Sequence, residues 1–377
     1  LKINALDLYR RLQGPEPPLL LDVRNAEEFR RWPVDHPDAA ATLNLPYFAF
    51  VESEEAAVAK AKEWLGTRRR DLVVVCAKGG SSEYVSEILR GHGLPAINLE
   101  DGMVGWGNET DFLPVPAPDP LRVWQAIRFG KGCLSYVVAS GSRAIVVDPH
   151  RNVSRYLDFL GSQRLELGAV SDTHLHADHL SGAALLSREG GCPYLANPLD
   201  FRGATFGFEA TRDGGRAPGG FDVAFLHSPG HTPGSTALSI QGCLLLTGDT
   251  LFVDSVGRPD LGGEAIAWGR DLFGTLHERW RPLPDDLLVL PAHSAGRAEI
   301  GPNGIVGARL GDIRQRNAAF RQDEAAFLGN ITAGAGTAPS HYARIRRVNL
   351  GLEPASEEDL LALDLGKNEC ALSRRHA

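Results

Sequence analysis

Three histidines and an aspartate crowd into the six residues from His174 to His179, within Thr173-His174-Leu175-His176-Ala177-Asp178-His179. Imidazole and carboxylate are the ligands of borderline metals such as zinc and iron, so this cluster points first to a metal site. In an extended segment His174 and His176 project to the same side. Asp178 and His179 follow, just ahead of a helix expected to begin near Leu180. Three further donors stand at loop positions after strands: His231 in Ser228-Pro229-Gly230-His231-Thr232-Pro233-Gly234-Ser235, Asp249 in Thr247-Gly248-Asp249-Thr250, and His293 in Leu290-Pro291-Ala292-His293. Gly and Pro flanks suit chain that must turn sharply around an ion. A lone histidine is usually an ordinary surface or core residue. Seven donors in this arrangement call for a metal.

A second reactive group is Cys76, in Cys76-Ala77-Lys78-Gly79-Gly80-Ser81-Ser82. A buried type of strand precedes it and a helix follows. That geometry aims successive backbone N–H groups and a helix N-terminus at the sulfur. Both favour the thiolate, which is the nucleophilic form. Lys78 adds a cation that would attract an anionic sulfur donor, and Gly79 and Gly80 permit the tight curl. Lys78, Gly79, Gly80 and Ser81 are therefore the expected substrate cradle. The plain alternative is a buried cysteine ending a core strand. Cys133, Cys192, Cys243 and Cys370 lie in no comparable loop and read as packing or tail residues.

The elements that must position these groups divide the chain. Residues 1–107 read as an alternating α/β unit, with strands at Leu19–Val23 and Leu72–Val75 and helical stretches at Ala26–Arg31 and around Glu83–Arg90. Residues 108–120 are proline-rich and lack periodicity, the signature of a linker. Residues 121–350 carry many short strands: Leu134–Ala139, Ala144–Val147, Gly168–Val170, Val223–Leu226, Thr236–Ile240, Cys243–Leu246 and Leu287–Leu290. Gln241-Gly242 reads as a tight hairpin. Helical stretches at Val153–Leu160 and Leu180–Glu189 lie between the strands, which suggests stacked sheets covered by helices, an αββα sandwich. Residues 351–377 read as a tail: a peripheral helix, then a frayed basic end at Arg374-Arg375-His376.

Composition narrows the function classes. At 377 residues the chain has room for two or three cores. Charged residues at 23% and hydrophobic ones at 43% fit globular protein. The net charge of -8 argues against nucleic acid or an anionic membrane as the main partner. No apolar run approaches the length of a membrane helix, and no secretory signal is visible. Five scattered cysteines form no CxxC pair and no disulfide framework, so a reducing cytoplasm is the expected compartment. Nothing in the chain argues against a homo-oligomer.

The motifs THLHADH, PGHTPGS, TGDT and PAH resemble, in order, those of the metallo-β-lactamase superfamily, over about residues 121–350. The resemblance implies an αββα fold with a metal site at one edge of the two sheets. It leaves two ligand sets open. A dinuclear zinc site would use His174, His176 and His231 for one ion and Asp178, His179 and His293 for the other, with Asp249 bridging. It would give hydrolase chemistry of the glyoxalase II thioesterase type. A mononuclear iron site would use only His174, His231 and Asp249, leaving positions for oxygen and a sulfur substrate.

Thr247-Gly248-Asp249-Thr250-Leu251-Phe252-Val253 and Val256-Gly257-Arg258-Pro259-Asp260-Leu261 closely resemble the persulfide dioxygenases. So does Arg316-Asn317-Ala318-Ala319-Phe320, with Pro339, Tyr342 and Asn349. That resemblance implies one Fe(II) per domain on His174, His231 and Asp249, and glutathione as the thiol of the substrate. His176, Asp178, His179 and His293 would then support the ligands or be remnants of a dinuclear site. Arg258 would suit the carboxylates of a glutathione-type substrate, or else pair with Asp260 or Asp254. Asp148 resembles a residue that supports the site from behind.

Leu20-Leu21-Asp22-Val23-Arg24, the interval to Cys76, and Asp101-Gly102-Met103-Val104-Gly105-Trp106 resemble a rhodanese domain over nearly all of residues 1–107. Many rhodanese-like proteins carry Arg where Ala77 stands. This resemblance implies sulfur transfer through Cys76, with a small-molecule persulfide, thiosulfate or sulfite as partner, and structural roles for Asp22 and Arg24. The chain is thus expected to be a two-domain sulfur-metabolism enzyme.

Overall fold

In the computed structural model two fully buried runs, Leu19–Asp22 and Leu72–Val75, pair as parallel strands. Leucine and valine fill their apolar positions and leave no polar face, the pattern of strands covered on both sides. Five strands form this sheet: Lys2–Ile3 (β1), Leu19–Asp22 (β2), Thr42–Asn44 (β3), Leu72–Val75 (β4) and Ala96–Leu99 (β5), in the order β1-β5-β4-β2-β3. Every pairing is parallel, so all the C-terminal strand ends lie along one edge. In such sheets ligands meet the chain at that edge, and Cys76 leaves β4 there. Helices Glu54–Leu65 and Gly80–Gly91 bury Val58, Ala61, Val85 and Leu89 against Leu19, Leu21 and Val74.

The structure describes residues 1–294, 299–301, 303–334, 339–364 and 366. Cys370, Arg374, Arg375 and His376 lie outside them. The chain forms two compact units, chiefly Leu1–Asp111 and, for the second, Phe112–Ile127 with Gly132–Asp364.

The second unit holds two sheets. The first contains Thr110–Val115 (β6), Leu121–Arg128 (β7), Leu134–Ser140 (β8), Arg143–Val147 (β9), Glu166–Ser171 (β10), Tyr194–Ala196 (β11) and Glu209–Ala210 (β12), in the order β12-β11-β10-β9-β8-β7-β6. The second contains Val223–His227 (β13), Thr236–Ile240 (β14), Leu244–Gly248 (β15), Leu288–Pro291 (β16) and Ala308–Arg309 (β17), in sequence order. Helices Ser154–Ser162 and Ala183–Gly190 bury Tyr156, Leu160, Ala183 and Leu186 on the first sheet. Helices Ala265–Gly274, Leu310–Arg316 and Glu324–Gly334 bury Leu272, Ile313, Phe327 and Ile331 on the second. The Tyr136 hydroxyl of β8 donates to the Pro291 carbonyl of β16 at 2.5 Å, tying one sheet to the other. The result is the αββα sandwich expected from the strand pattern. Among the described residues no helix is long and apolar enough to cross a membrane.

Three local expectations change. The stretch read as linker, 108–120, contains β6 with Pro114 inside it. β6 ends the sheet order, and proline is tolerated on an edge strand because no neighbour needs its missing N–H. The helix expected near Leu180 begins at Ala183. Side chains take the backbone N–H groups there: Leu180 donates to Asp364 and Ser181 to Asn349. The helix Glu357–Asp364 is not peripheral, because Leu363 and Asp364 are buried.

Candidate active sites

In the first unit Cys76 is 4% exposed at the end of β4. Its Sγ accepts the Gly79 N–H at 3.0 Å and faces the Ser82 hydroxyl at 3.0 Å. Helix Gly80–Gly91 opens beside it from Gly79 with no side-chain cap. Its first-turn N–H groups therefore add positive potential near the sulfur. Gly80 and Lys78 are exposed and Ser81 half-buried, so the loop keeps an open side. Gly102 explains part of the Asp101–Trp106 motif. A Cβ on it would lie 2.2 Å from the Cys76 carbonyl, so only glycine lets that chain back the loop. Asp22 and Arg24 pair with each other, Nη2 to Oδ2 at 2.6 Å, and Arg24 also donates to the Trp32 carbonyl. Both are buried and serve the fold.

In the second unit the donors gather from strand ends. β10 delivers the His174–His179 loop, β13 precedes His231, Asp249 directly follows β15, and His293 lies just past its parallel neighbour β16. One ligand atom each from His174, His231 and Asp249 lie within 4.8 Å of one another, and all three residues are buried. Asp249 Oδ2 stands 3.8 Å from His174 Nε2 and 3.7 Å from His231 Nε2.

The residues present fit a metal ion. His174 Nδ1 meets the Thr173 hydroxyl at 3.0 Å, and His231 Nδ1 meets the Arg258 carbonyl at 3.1 Å. Such bonds at Nδ1 leave Nε2 as the ligating nitrogen. His174 Nε2 and Asp249 Oδ2 are buried with no hydrogen-bond partner. Burial, joined by His176, pushes the His174 imidazole well below its usual pKa, and burial lowers that of His231 as well. Both therefore favour the neutral form that ligates. Burial opposes charge on Asp249, but His293, His174 and His231 together outweigh it and hold the carboxyl well below its usual range.

The other histidines of the cluster go elsewhere. His176 Nε2 lies 3.1 Å from Asp148 Oδ1 and 3.8 Å from Asp172 Oδ1. Asp148 also accepts the Thr173 backbone N–H and hydroxyl, at 2.7 and 2.9 Å, so it fixes the start of the histidine loop. His179, Asp178 and His293 form a separate buried group with Cys133. Arg258 pairs with Asp260, Nη2 to Oδ2 at 2.6 Å, which is the ion pair weighed against its substrate role. Its carbonyl is the contact that orients His231. Gly257 sits where a Cβ would meet the Asp249 carbonyl at 1.9 Å and His231 Nδ1 at 2.9 Å. Gly257→Ala should therefore displace both ligands, and metal analysis should find less than a tenth of the wild-type content at this site, a loss of the size set by disturbed ligand support, about 10–100-fold.

The metallo-β-lactamase superfamily model matches residues 128–293, and a rhodanese-like domain model matches residues 4–109. An uncharacterised protein of Mycobacterium leprae is 35% identical over 190 residues, which cover 43% of this chain and 86% of that protein. The chain belongs to the metallo-β-lactamase superfamily. It carries a rhodanese-like domain ahead of the metallo-β-lactamase domain. A hydroxyacylglutathione hydrolase of Anaeromyxobacter dehalogenans is 29% identical over 199 residues, covering 51% of this chain and 76% of the hydrolase. The human mitochondrial persulfide dioxygenase is 32% identical over 154 residues, covering 40% of this chain and 58% of the human protein.

Three supporting residues of the metallo-β-lactamase domain escape a reading of the sequence. Asp200 accepts the Leu175 N–H at 3.0 Å, the Thr232 hydroxyl at 2.6 Å and the Gly234 N–H at 2.7 Å, joining the THLHADH and PGHTPGS loops. Asp364 accepts the Leu180 N–H at 3.0 Å. Cys133, read as packing, lies 3.6 Å from Asp178. No spacing marks any of them, because each is isolated in sequence. Asn349 was named only by resemblance, and the structure gives it work. Its amide donates to the His176 and His179 carbonyls, both at 2.9 Å, and accepts the Ser181 N–H at 3.0 Å. Asn349→Ala should lower unfolding stability by about 1–3 kcal/mol, the cost of stranding buried backbone groups, read as a shift of the denaturation midpoint.

Proposed function

We propose that this chain couples two sulfur reactions. The metallo-β-lactamase domain oxidises the outer sulfur of a low-molecular-weight persulfide, with glutathione persulfide the leading candidate. One persulfide, one O2 and one water give the free thiol, sulfite and two protons. The rhodanese-like domain carries sulfane sulfur on Cys76. The observation that carries this reading is the diversion of His176 to Asp148 and Asp172, which leaves His174, His231 and Asp249 as a three-ligand set. Two histidines and one carboxylate are the donor set of non-haem iron oxygenases. An Fe(II) ion held by these three residues would bind the persulfide sulfur and O2 and supply the redox chemistry.

The chain's own residues do the rest. Thr173 and the Arg258 carbonyl hold the two imidazoles in the ligating tautomer. His174, His231 and Asp249 are themselves buried, a setting in which charged and hydrogen-bonding contacts act more strongly than in water. Arg258 and Asp260 pin the loop that carries the carbonyl contact to His231. At Cys76 the thiolate attacks sulfane sulfur, a new S–S bond forms, and sulfite or a thiolate leaves with the electron pair of the broken bond. Gly79 N–H and the Ser82 hydroxyl stand where charge on the sulfur needs donors. The persulfide can then pass to glutathione, making the oxidation substrate, or to sulfite, making thiosulfate. Joining both activities in one chain raises the effective concentration of a reactive intermediate. A reducing compartment such as the cytoplasm suits free thiols of this kind.

A dizinc thioesterase is the competing reading, and the hydroxyacylglutathione hydrolase relative favours it. Anaerobic purification followed by metal analysis and oxygen uptake on the same sample separates the two. The expected result is about one iron per chain and uptake that depends on added persulfide. Zinc without iron, and thioester hydrolysis without oxygen uptake, would sink the proposal.

A further inference from the structure

The run from Pro198 to Phe208 lines a hollow of about 500 Å³ that neither proposed reaction uses. Pro198, Leu199, Phe201 and Phe208 give it apolar walls, and Arg202 is the one charged residue lining it among the described residues. The Phe201 and Phe208 rings meet with centroids 5.8 Å apart, and Phe201 is buried in the core beside the first sheet. Leu199 stands 59% exposed and forms an open lip. A concave apolar surface with a few placed polar groups is the usual form of a small-molecule site, and such sites measure about 300–1,000 Å³.

The walls are fixed from both ends. Asn197 Oδ1 accepts the Leu199 N–H at 3.0 Å, while its amide donates to the Thr236 hydroxyl at 3.0 Å. The Asp200 and Phe201 N–H groups both donate to the Asn197 carbonyl at 3.2 Å. Further on, the Thr205 N–H donates to the Leu350 carbonyl at 3.0 Å and the Thr205 hydroxyl to the Gly351 carbonyl at 3.2 Å. A hollow whose walls are already set loses little ordering entropy when a ligand enters. Charge then selects the ligand. Asp200, the acid within the run, turns away, because its oxygens accept the Leu175 N–H, the Thr232 hydroxyl and the Gly234 N–H. Glu209 lies beyond, on β12, and does not line the hollow. Arg202 makes no hydrogen bond or ion pair among the described residues.

We propose that this hollow binds a small amphiphilic anion: an aliphatic or aromatic body carrying one carboxylate or sulfonate. The Arg202 guanidinium pairs with the anionic oxygens, and the Leu199, Phe201 and Phe208 walls take the apolar body out of water. The site does not depend on either sulfur reaction.

The test uses the full chain, with anilinonaphthalene sulfonate as the anionic probe and phenylnaphthylamine, the same rings without the sulfonate, as its neutral counterpart. Fluorescence titration should show a single saturable site for the anionic probe. Arg202→Gln should weaken that probe about tenfold, the size of one charge-assisted hydrogen bond, and leave the neutral probe unchanged. Leu199→Asp sets a like charge at the lip and should weaken the anionic probe more than the neutral one. Both positions are exposed, so both variants should keep the wild-type melting midpoint. Octanoate should displace the anionic probe and inorganic sulfate should not. The proposal is overturned if no saturable site is found, if both variants bind the anionic probe as the wild type does, or if sulfate displaces it as well as octanoate does. It is also overturned if sedimentation shows Leu199→Asp splitting an oligomer, which would make the hollow a contact between copies of this chain. None of these readouts depends on oxygen uptake or sulfur transfer, so the site and the proposed reactions can fail separately.

Discussion

Asp249→Ala and His231→Ala should each cut persulfide-dependent oxygen uptake by at least about a thousandfold. Losing a residue that merely supports a ligand costs about 10–100-fold in metal affinity or activity, and these two residues are the proposed ligands themselves. Asp249 has a double part, because Oδ2 faces His174 and His231 while Oδ1 holds His293. Its loss should therefore empty the three-ligand site and loosen the neighbouring group. His231→Ala should spare the neighbouring group, since the Cys133–Asp178–His179–His293 cluster does not include it. Oxygen-electrode rates and metal content on the same samples check this. Uptake that persists in either variant would place the reaction elsewhere. His176→Ala is the informative contrast. It removes the partner of Asp148 and Asp172, not a proposed ligand, so a milder loss of about 10–100-fold is expected.

Cys76→Ser should abolish sulfur transfer from thiosulfate, by at least about ten-thousandfold, because removing an attacking nucleophile eliminates the covalent route. The fold should survive, since serine is close in size and the Gly79 and Ser82 contacts surround the loop. Persulfide-dependent oxygen uptake should stay within about twofold of wild type, because the His174–His231–Asp249 set and every residue that orients it lie outside the loop. Thiosulfate-to-cyanide transfer and oxygen consumption, measured side by side, decide it. Loss of both would mean that oxidation takes its persulfide from Cys76 alone and not from solution.

The metal loop, the Cys76 loop and the layered architecture were legible because each rests on short-range pattern. His174 to His179 is dense enough to stand out, and β4 followed by Cys76 and paired glycines has a local physical meaning. Long-range partners were not legible. Asp200, Cys133 and Asp364 act on the loop through side chains separated from it by 25 to 184 positions, and an isolated Asp or Cys looks like many others. The prolines around β6 misdirected the linker reading, because composition does not tell an edge strand from free chain. Leu180 reads as a helix start, yet the helix begins at Ala183, and the Leu180 and Ser181 N–H groups are taken by Asp364 and Asn349 from far along the chain. Periodicity reports which face is buried and cannot report which distant carboxylate claims a backbone donor. The same limit applied to His176, whose identity as a metal-type residue was plain while its diversion depended on where Asp148 and Asp172 arrive.

The histidine loop is closed by residues far downstream of it, Asn349 from 173 positions beyond His176 and Asp364 from 184 beyond Leu180. A chain shortened before Asn349 would leave the His176 and His179 carbonyls and the Leu180 and Ser181 N–H groups without these partners. The histidine loop thus owes its closure to contacts of very long sequence separation, the kind that costs most loop-closure entropy to form.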